Sequence, residues 1–261
     1  RCLKTQAPVA LKILVGARAR KDGGATRFLR EAKLLCSLNH KNVVRGLSFG
    51  LDAGRRFLVT EYVAAPSLKH RLRGAGPLDE FEVVRVGLGV ARALAYLHGA
   101  GVVHRDVKPA NVVLDKALKP YLVDFGIAID SEDTDERRGE IIGSPGYMSP
   151  EQIEGKANAI DGRTDIYSLG TIFYQLLCGT HPYPGESVTK VVSDVLNETP
   201  TPPTELVADL PPQVERICLR ALARNPDLRY LDAAHLAADL QDLMRALPRT
   251  LGTGVSRPHA A

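Results

Sequence analysis

The sequence predicts an α+β chain of two unequal lobes, a small sheet-bearing one followed by a larger helical one. Three observations predict it. Short apolar, strand-like runs at 9–15 and 56–60 flank one helical stretch within the first 60 residues. From Asp79 the apolar residues take up helical spacing, with Val84, Leu88, Ala91 and Leu94 on one face. The segment 163–178 is apolar almost all round, the mark of a helix buried in the middle of a domain.

The elements follow in order. A Gly-punctuated loop at Gly23 and Gly24 separates the first strand from the small-lobe helix, and further strand-like runs end at Thr60. The helix after Asp79 stops at Gly99 and Gly101, and the buried helix stops at Gly179, where the residue without Cβ suits a left-handed cap. Pro200, Pro202, Pro203, Pro211 and Pro212 bracket a loop before two helical stretches at about 212–224 and 232–247. Beyond Pro248 the periodicity is lost, and a disordered tail over 249–261 is expected.

Composition narrows the function classes. With 261 residues, 44% of them hydrophobic, the chain buries a sizeable core in one large domain or two small lobes. The net charge of +4 comes from 34 basic and 30 acidic residues spread along the chain, without the clustered tract of a nucleic-acid arm, so no nucleic-acid partner is expected. Cys2, Cys36, Cys178 and Cys218 lie far apart and form no zinc or dithiol pattern, which suggests free thiols in a reducing cytosol. No apolar run is long enough to span a bilayer. The chain opens on Arg1 rather than Met, and further sequence upstream is expected.

The strongest chemical signal is His104-Arg105-Asp106-Val107-Lys108-Pro109-Ala110-Asn111, with Asp124-Phe125-Gly126 beginning thirteen positions after Asn111. Moving a phosphoryl group asks a protein mainly to position reactants and neutralise charge. Asp106 suits the carboxylate beside an attacking hydroxyl. Asn111 and Asp124 offer the oxygen ligands that Mg²⁺ prefers, and Lys108 is placed to set a cation at a transferring phosphate. A hairpin whose Asp, Asn and Gly residues merely satisfy turns explains any one of these residues, but not their joint spacing.

A second constellation is Lys12, on the strand Val9-Ala10-Leu11-Lys12, with Glu31 on the following helix. Phe28, Glu31, Leu35 and Leu38 share a helical face, so Glu31 interrupts an apolar stripe. A carboxylate aimed at a core needs a partner, and Lys12 is the candidate; a solvated glutamate at the helix rim is the alternative.

With these residues assembled, the chain resembles a eukaryotic-type protein serine/threonine kinase catalytic domain of the bacterial kind, over about residues 2–247. The resemblance implies a two-lobed kinase fold: a β-rich N-lobe over 1–60, a hinge over 61–66 and a helical C-lobe over 67–248. It implies ATP and Mg²⁺ as cofactors, with Lys12 and Glu31 at the phosphates and Glu61 and Val63 offering hinge backbone to adenine behind Thr60. Asp106 is the expected base, assisted by Lys108 and Asn111, with Asn111 and Asp124 on the metal. Ser149-Pro150-Glu151 resembles the closure of the activation segment, with Glu151 pairing Arg229, and Asp165 is expected to bond the catalytic-loop backbone. Lys108-Pro109 and Ser144 resemble the serine/threonine branch, so protein Ser and Thr hydroxyls are the expected acceptors, autophosphorylation included. Location is expected to be cytoplasmic, in a free protein or as the cytoplasmic part of a membrane-anchored one.

The chain also departs from the pattern. Only eleven residues precede Lys12 and none is glycine, so the Gly-rich loop over the phosphates and two small-lobe strands are expected upstream of Arg1. A catalytically impaired fragment, or a pseudokinase-like interaction module, is therefore the alternative reading. Between Asp124 and Glu151 an acidic run contains Ser131 and Thr134, a phosphorylation site pairing with Arg105, a solvated loop, or a carboxylate that partly substitutes for phosphate near Arg105.

Overall fold

A computed structural model describes residues 6–14, 24–74, 78–124 and 145–247. Three antiparallel strands form the small-lobe sheet: β1 (Val9–Leu14), β2 (Gly46–Asp52) and β3 (Arg55–Glu61), in the order β1-β3-β2. β2 and β3 form a hairpin around Ala53 and Gly54, which both take positive φ. Lys12 stands opposite Leu58 in the β1–β3 register. Helix α1 (Gly24–Ser37) lies between β1 and β2 in sequence and packs on β2, burying Ala32 and Leu35.

The large lobe begins with the short helix α2 (Leu68–Gly74) and the long α3 (Glu80–Gly99). Asp79 starts α3 with a capping box: its carboxylate accepts from Glu82 N–H at 2.7 Å and Glu82 accepts from Asp79 N–H at 3.2 Å. The two-stranded hairpin β4 (Val112–Leu114) and β5 (Pro120–Leu122) follows the catalytic segment. It packs so tightly on α3 that a Cβ at Gly89 would sit 2.4 Å from the Pro120 ring. Leu122 N–H donates to Asn42 C=O at 2.8 Å and Leu122 C=O accepts from Val44 N–H at 3.0 Å, which ties this hairpin to the segment after α1.

Helix α4 (Pro150–Ile153) precedes α5 (Gly162–Cys178), the buried run anticipated from sequence. Ile166, Tyr167, Leu169, Ile172, Phe173 and Tyr174 of α5 are all buried. At about 1.5–3 kcal/mol for each large apolar side chain, this helix anchors the lobe. Gly179 ends it at φ +71°. Helices α6 (Val188–Asn197), α7 (Pro203–Leu206), α8 (Pro212–Ala221) and α9 (Ala233–Ala246) complete the lobe, with α9 against α3. The two final helices lie within the stretches expected at 212–224 and 232–247, each trimmed at its C-terminal end. Neither α2 nor α6 was anticipated. The tail beyond Leu247 lies outside the described residues.

Candidate active site

The segment 102–111 joins α3 to β4 and is held by side chains that come from elsewhere in the fold. Asp165, fully buried in the first turn of α5, accepts from His104 N–H through Oδ2 and from Arg105 N–H through Oδ1, both at 2.8 Å. His98, near the end of α3, meets Asp165 Oδ2 through Nε2 at 2.8 Å. A buried carboxylate is costly without partners, and these contacts make Asp165 a fixed mooring for the loop.

Arg105 sits at φ +63°, a left-handed conformation costing on the order of 1 kcal/mol or more for a residue with a side chain. Both of its backbone polar groups are clamped. Asp165 takes the N–H, while Gln152 Nε2 donates to the C=O at 2.9 Å. Gln152 is itself fixed by its capping box with Ser149, whose N–H and hydroxyl both reach Gln152 Oε1. The strained turn that delivers Asp106 is thus held from α5 and α4 together.

Asp106 lies next in the chain. Lys108 Nζ donates to its carboxylate at 2.8 Å, and Asn111 Nδ2 donates to both its Oδ2 and its C=O at 2.9 Å. Committing the nitrogen of the Asn111 amide in this way leaves the oxygen as the metal-ligating end. Asp106 N–H donates to His104 Nδ1 at 3.3 Å, so His104 carries its proton on Nε2, which faces Val123 C=O at 3.3 Å. Burial holds the His104 pKa below the ordinary histidine range, against the upward pull of Asp165, the Val123 carbonyl and the carboxylates of Asp106 and Asp124. This neutral ring is a spacer with a defined tautomer.

Asp124 follows β5 and takes φ +58°. The preceding Val123 donates its N–H to Asn111 C=O at 2.9 Å, so the two motifs that spacing connected are joined by backbone. The Lys12 ammonium forms an ion pair with Asp124 Oδ1, and both side chains are well exposed to solvent. The carboxylate of Asp124 has therefore already drawn a cation to the place where a divalent ion is expected. Its oxygens and the Asn111 amide oxygen fit a hard cation.

Lys12 thus meets Asp124 in this structure; Glu31 falls within α1, and its side chain lies outside the described residues. Phe125, Gly126, Ser131, Thr134 and Ser144 lie outside them as well. Glu61 ends β3 and its N–H donates to Arg45 C=O at 3.0 Å; Val63 C=O accepts from Ala65 N–H at 2.9 Å, and Tyr62 between them is exposed.

Glu151 and Arg229 meet as expected. The guanidinium donates Nη1 to Oε1 at 2.8 Å and Nη2 to Oε2 at 2.9 Å, and its remaining donors reach the carbonyls of Ala223, Arg163 and Arg224. Burial pulls the Glu151 pKa upward, but the hydrogen bonds and charge of Arg229 outweigh it and leave the carboxyl below its ordinary range. Just before this pair, the turn 145–147 is fastened to α5. Ser168 Oγ donates to Tyr147 C=O at 2.7 Å and the Tyr147 hydroxyl donates to Gln175 at 2.6 Å, while His181 packs edge-on against the Tyr147 ring.

Asp106, Lys108 and Asn111 lie in one hydrogen-bonded unit, with Asp124 joined to it through Val123 and Lys12 paired with Asp124. A family model described as the protein kinase domain matches residues 1–240. The chain belongs to the protein kinase family. It is 40% identical over 245 residues to the serine/threonine-protein kinase pkn3 of Myxococcus xanthus, covering 89% of this chain and 44% of that protein. It is 36% identical over 247 residues to the serine/threonine-protein kinase PknB of Mycolicibacterium smegmatis, covering 92% of this chain and 39% of that protein. A probable serine/threonine-protein kinase, SCO3848, of Streptomyces coelicolor is 35% identical over 247 residues. The kinase domain therefore spans less than half the length of these bacterial relatives. No helix among the described residues is long and apolar enough to cross a membrane.

Two residues of this kinase domain that the sequence reading missed are His98 and Gln152. His98 had only its place at the end of a predicted helix to mark it. Gln152 stands three residues after Ser149, the spacing of a capping box, and that signal was available.

Proposed function

We infer that this domain transfers the γ-phosphoryl group of ATP to Ser or Thr hydroxyls of protein substrates. The observation that carries the reading is the fixed carboxylate of Asp106, oriented by Lys108 and Asn111 in a loop moored to Asp165. Asp106 orients the acceptor hydroxyl and takes its proton as the oxygen–phosphorus bond forms and the bond from Pγ to the β-phosphate oxygen breaks. ADP leaves with that oxygen and its electron pair. Lys108 sits beside Asp106, ready to offset charge on the transferring group, and Lys12 holds phosphate oxygens once its contact with Asp124 gives way. Mg²⁺, held by Asp124 and the Asn111 oxygen, would supply charge neutralisation at the phosphates. The backbone of Glu61 and Val63 would bind adenine, and Glu31 would steady Lys12.

The relatives' names support protein hydroxyls as acceptors. The test is Mg²⁺-dependent transfer of labelled γ-phosphate to a generic protein acceptor and to the chain itself. It compares the chain as given, a form extended upstream by a glycine-rich strand pair, and Asp106→Asn in each. Transfer that falls by roughly 10²–10⁴ in Asp106→Asn supports the reading. No transfer from any folded form would instead favour an interaction module.

A further inference from the structure

Helix α2 holds four basic side chains in seven residues, Lys69, His70, Arg71 and Arg73, and no acidic one. Leu68 and Leu72 share the inward side, and Leu68 is fully buried. Lys69, Arg73 and His70 fall on one contiguous outward arc at the helical step of about 100° per residue, and all three are exposed. Several surface cations of the large lobe have carboxylate partners, as Arg163 does with Asp161 and Asp227, Lys190 with Asp194 and Arg245 with Asp242, while others lie over an aromatic ring, as Arg220 does over Tyr230. Among the described residues, no carboxylate pairs with Lys69, His70 or Arg73.

Helix stability does not explain this arrangement. Cations in the last turn suit the negative end of the helix dipole, which accounts for Arg71 and Arg73. Lys69 stands in the first turn, where the dipole opposes it, and three like charges, Lys69, Arg71 and Arg73, repel one another within two turns.

The location supplies a use for them. α2 packs against the 109–111 turn that ends the catalytic loop. Its approach is stitched to β4 by the Ser67–Val113 bridge and by Leu114 N–H donating to Pro66 C=O at 3.1 Å. The basic arc is therefore fixed at the large-lobe lip of the site. An extended peptide advances roughly 3.3 Å per residue, so side chains a few positions from an acceptor at Asp106 come within reach of it.

We propose that the outward face of α2 docks acidic side chains of the protein substrate, so that acceptors flanked by Glu or Asp are preferred. The proposal rests on the protein-phosphorylating reading above. Exposed charge contacts are individually weak, and three acting together give selectivity that added salt screens.

The test uses peptides with one central Thr flanked by Glu, Gln or Lys. At low ionic strength, kcat/KM is expected to be about tenfold higher for the Glu peptide than for the Gln peptide, mainly through KM, with the gap shrinking as salt is added. In the doubly reversed variant Lys69→Glu/Arg73→Glu the preference is expected to shift to the Lys peptide, a gain that misfolding does not produce. Equal kcat/KM for the Glu and Gln peptides, or an unchanged preference in the reversed variant, overturns the proposal and leaves the kinase reading standing. If no peptide is phosphorylated, the kinase reading fails on its own, and fluorescence anisotropy of a labelled Glu peptide decides the docking question. Salt-sensitive binding lost in the reversed variant upholds the docking face; binding that is absent, or unaffected by the reversal, overturns it.

Discussion

The two sides of the cleft are built differently. On the large-lobe side, Asp106 sits in a loop whose backbone is bonded to a fully buried carboxylate and to Gln152, with Glu151 and Arg229 locked together beneath. On the side facing the small lobe, Lys12 of β1 forms an ion pair with Asp124 of the large lobe, with side chains 37% and 49% exposed. The difference teaches which part of phosphoryl transfer needs pre-organisation. On the proposed function, the carboxylate that meets the acceptor's proton is already in place, whereas the groups that would receive a charged nucleotide have to exchange partners when it arrives.

The comparison breaks most visibly at the buried pair. Glu151→Ala strands the Arg229 guanidinium and is expected to cost about 3–5 kcal/mol of stability, read from the denaturant midpoint. A loss below about 1 kcal/mol would mean that this pair does not anchor the lobe.

Next in size is Gln152→Ala, which frees the carbonyl of the strained Arg105. Loss of that bond is expected to lower kcat about tenfold with the KM for ATP unchanged, while stability falls by about 1 kcal/mol. Unaltered kcat would show that Asp165 alone holds the turn. The smallest structural effect belongs to the other side. Lys12→Met is expected to change stability by no more than about 0.5 kcal/mol, since an exposed pair contributes little. Its effect should fall on nucleotide affinity, measured by titration with Mg-ATP. A large stability loss would erase the contrast between the two sides.

Much of the proposed site was legible because it lies in two short motifs, 104–111 and 124–126, whose spacing fits phosphoryl transfer. Asp106, Lys108, Asn111 and Asp124 could be assigned from spacing, and the structure joins them through Val123 and Asn111. The Glu151–Arg229 pair spans 78 positions and came only through the resemblance. His98 was hidden for the same reason: its partner Asp165 lies 67 positions away, and no local pattern records the contact.

The fold was read best where one helix face or a whole helix is buried, as in α3 and α5. It was missed in α2, whose run of cations masks two inward leucines, and in α6. α6 carried a helical signal that was not read, Val188, Val191, Val192 and Val195 at i, i+3, i+4 and i+7 behind the N-cap Ser187, which accepts from Lys190 N–H. Lys12 was assigned to Glu31 on a helical stripe; the Glu31 side chain lies outside the described residues, and the Lys12 ammonium also meets Asp124, a contact the sequence did not suggest. Periodicity shows which residues share a face, but not every carboxylate that a flexible four-carbon side chain can reach.

Hydrogen exchange at the backbone amides of His104 and Arg105, followed without nucleotide and again with Mg-ATP, tests the central claim most directly. Both donate to buried Asp165. They are expected to be protected in the free protein as strongly as amides in the middle of α5, and little changed by nucleotide. Rapid exchange in the free protein, slowed only by Mg-ATP, would contradict the account and make the catalytic loop a product of ligand binding.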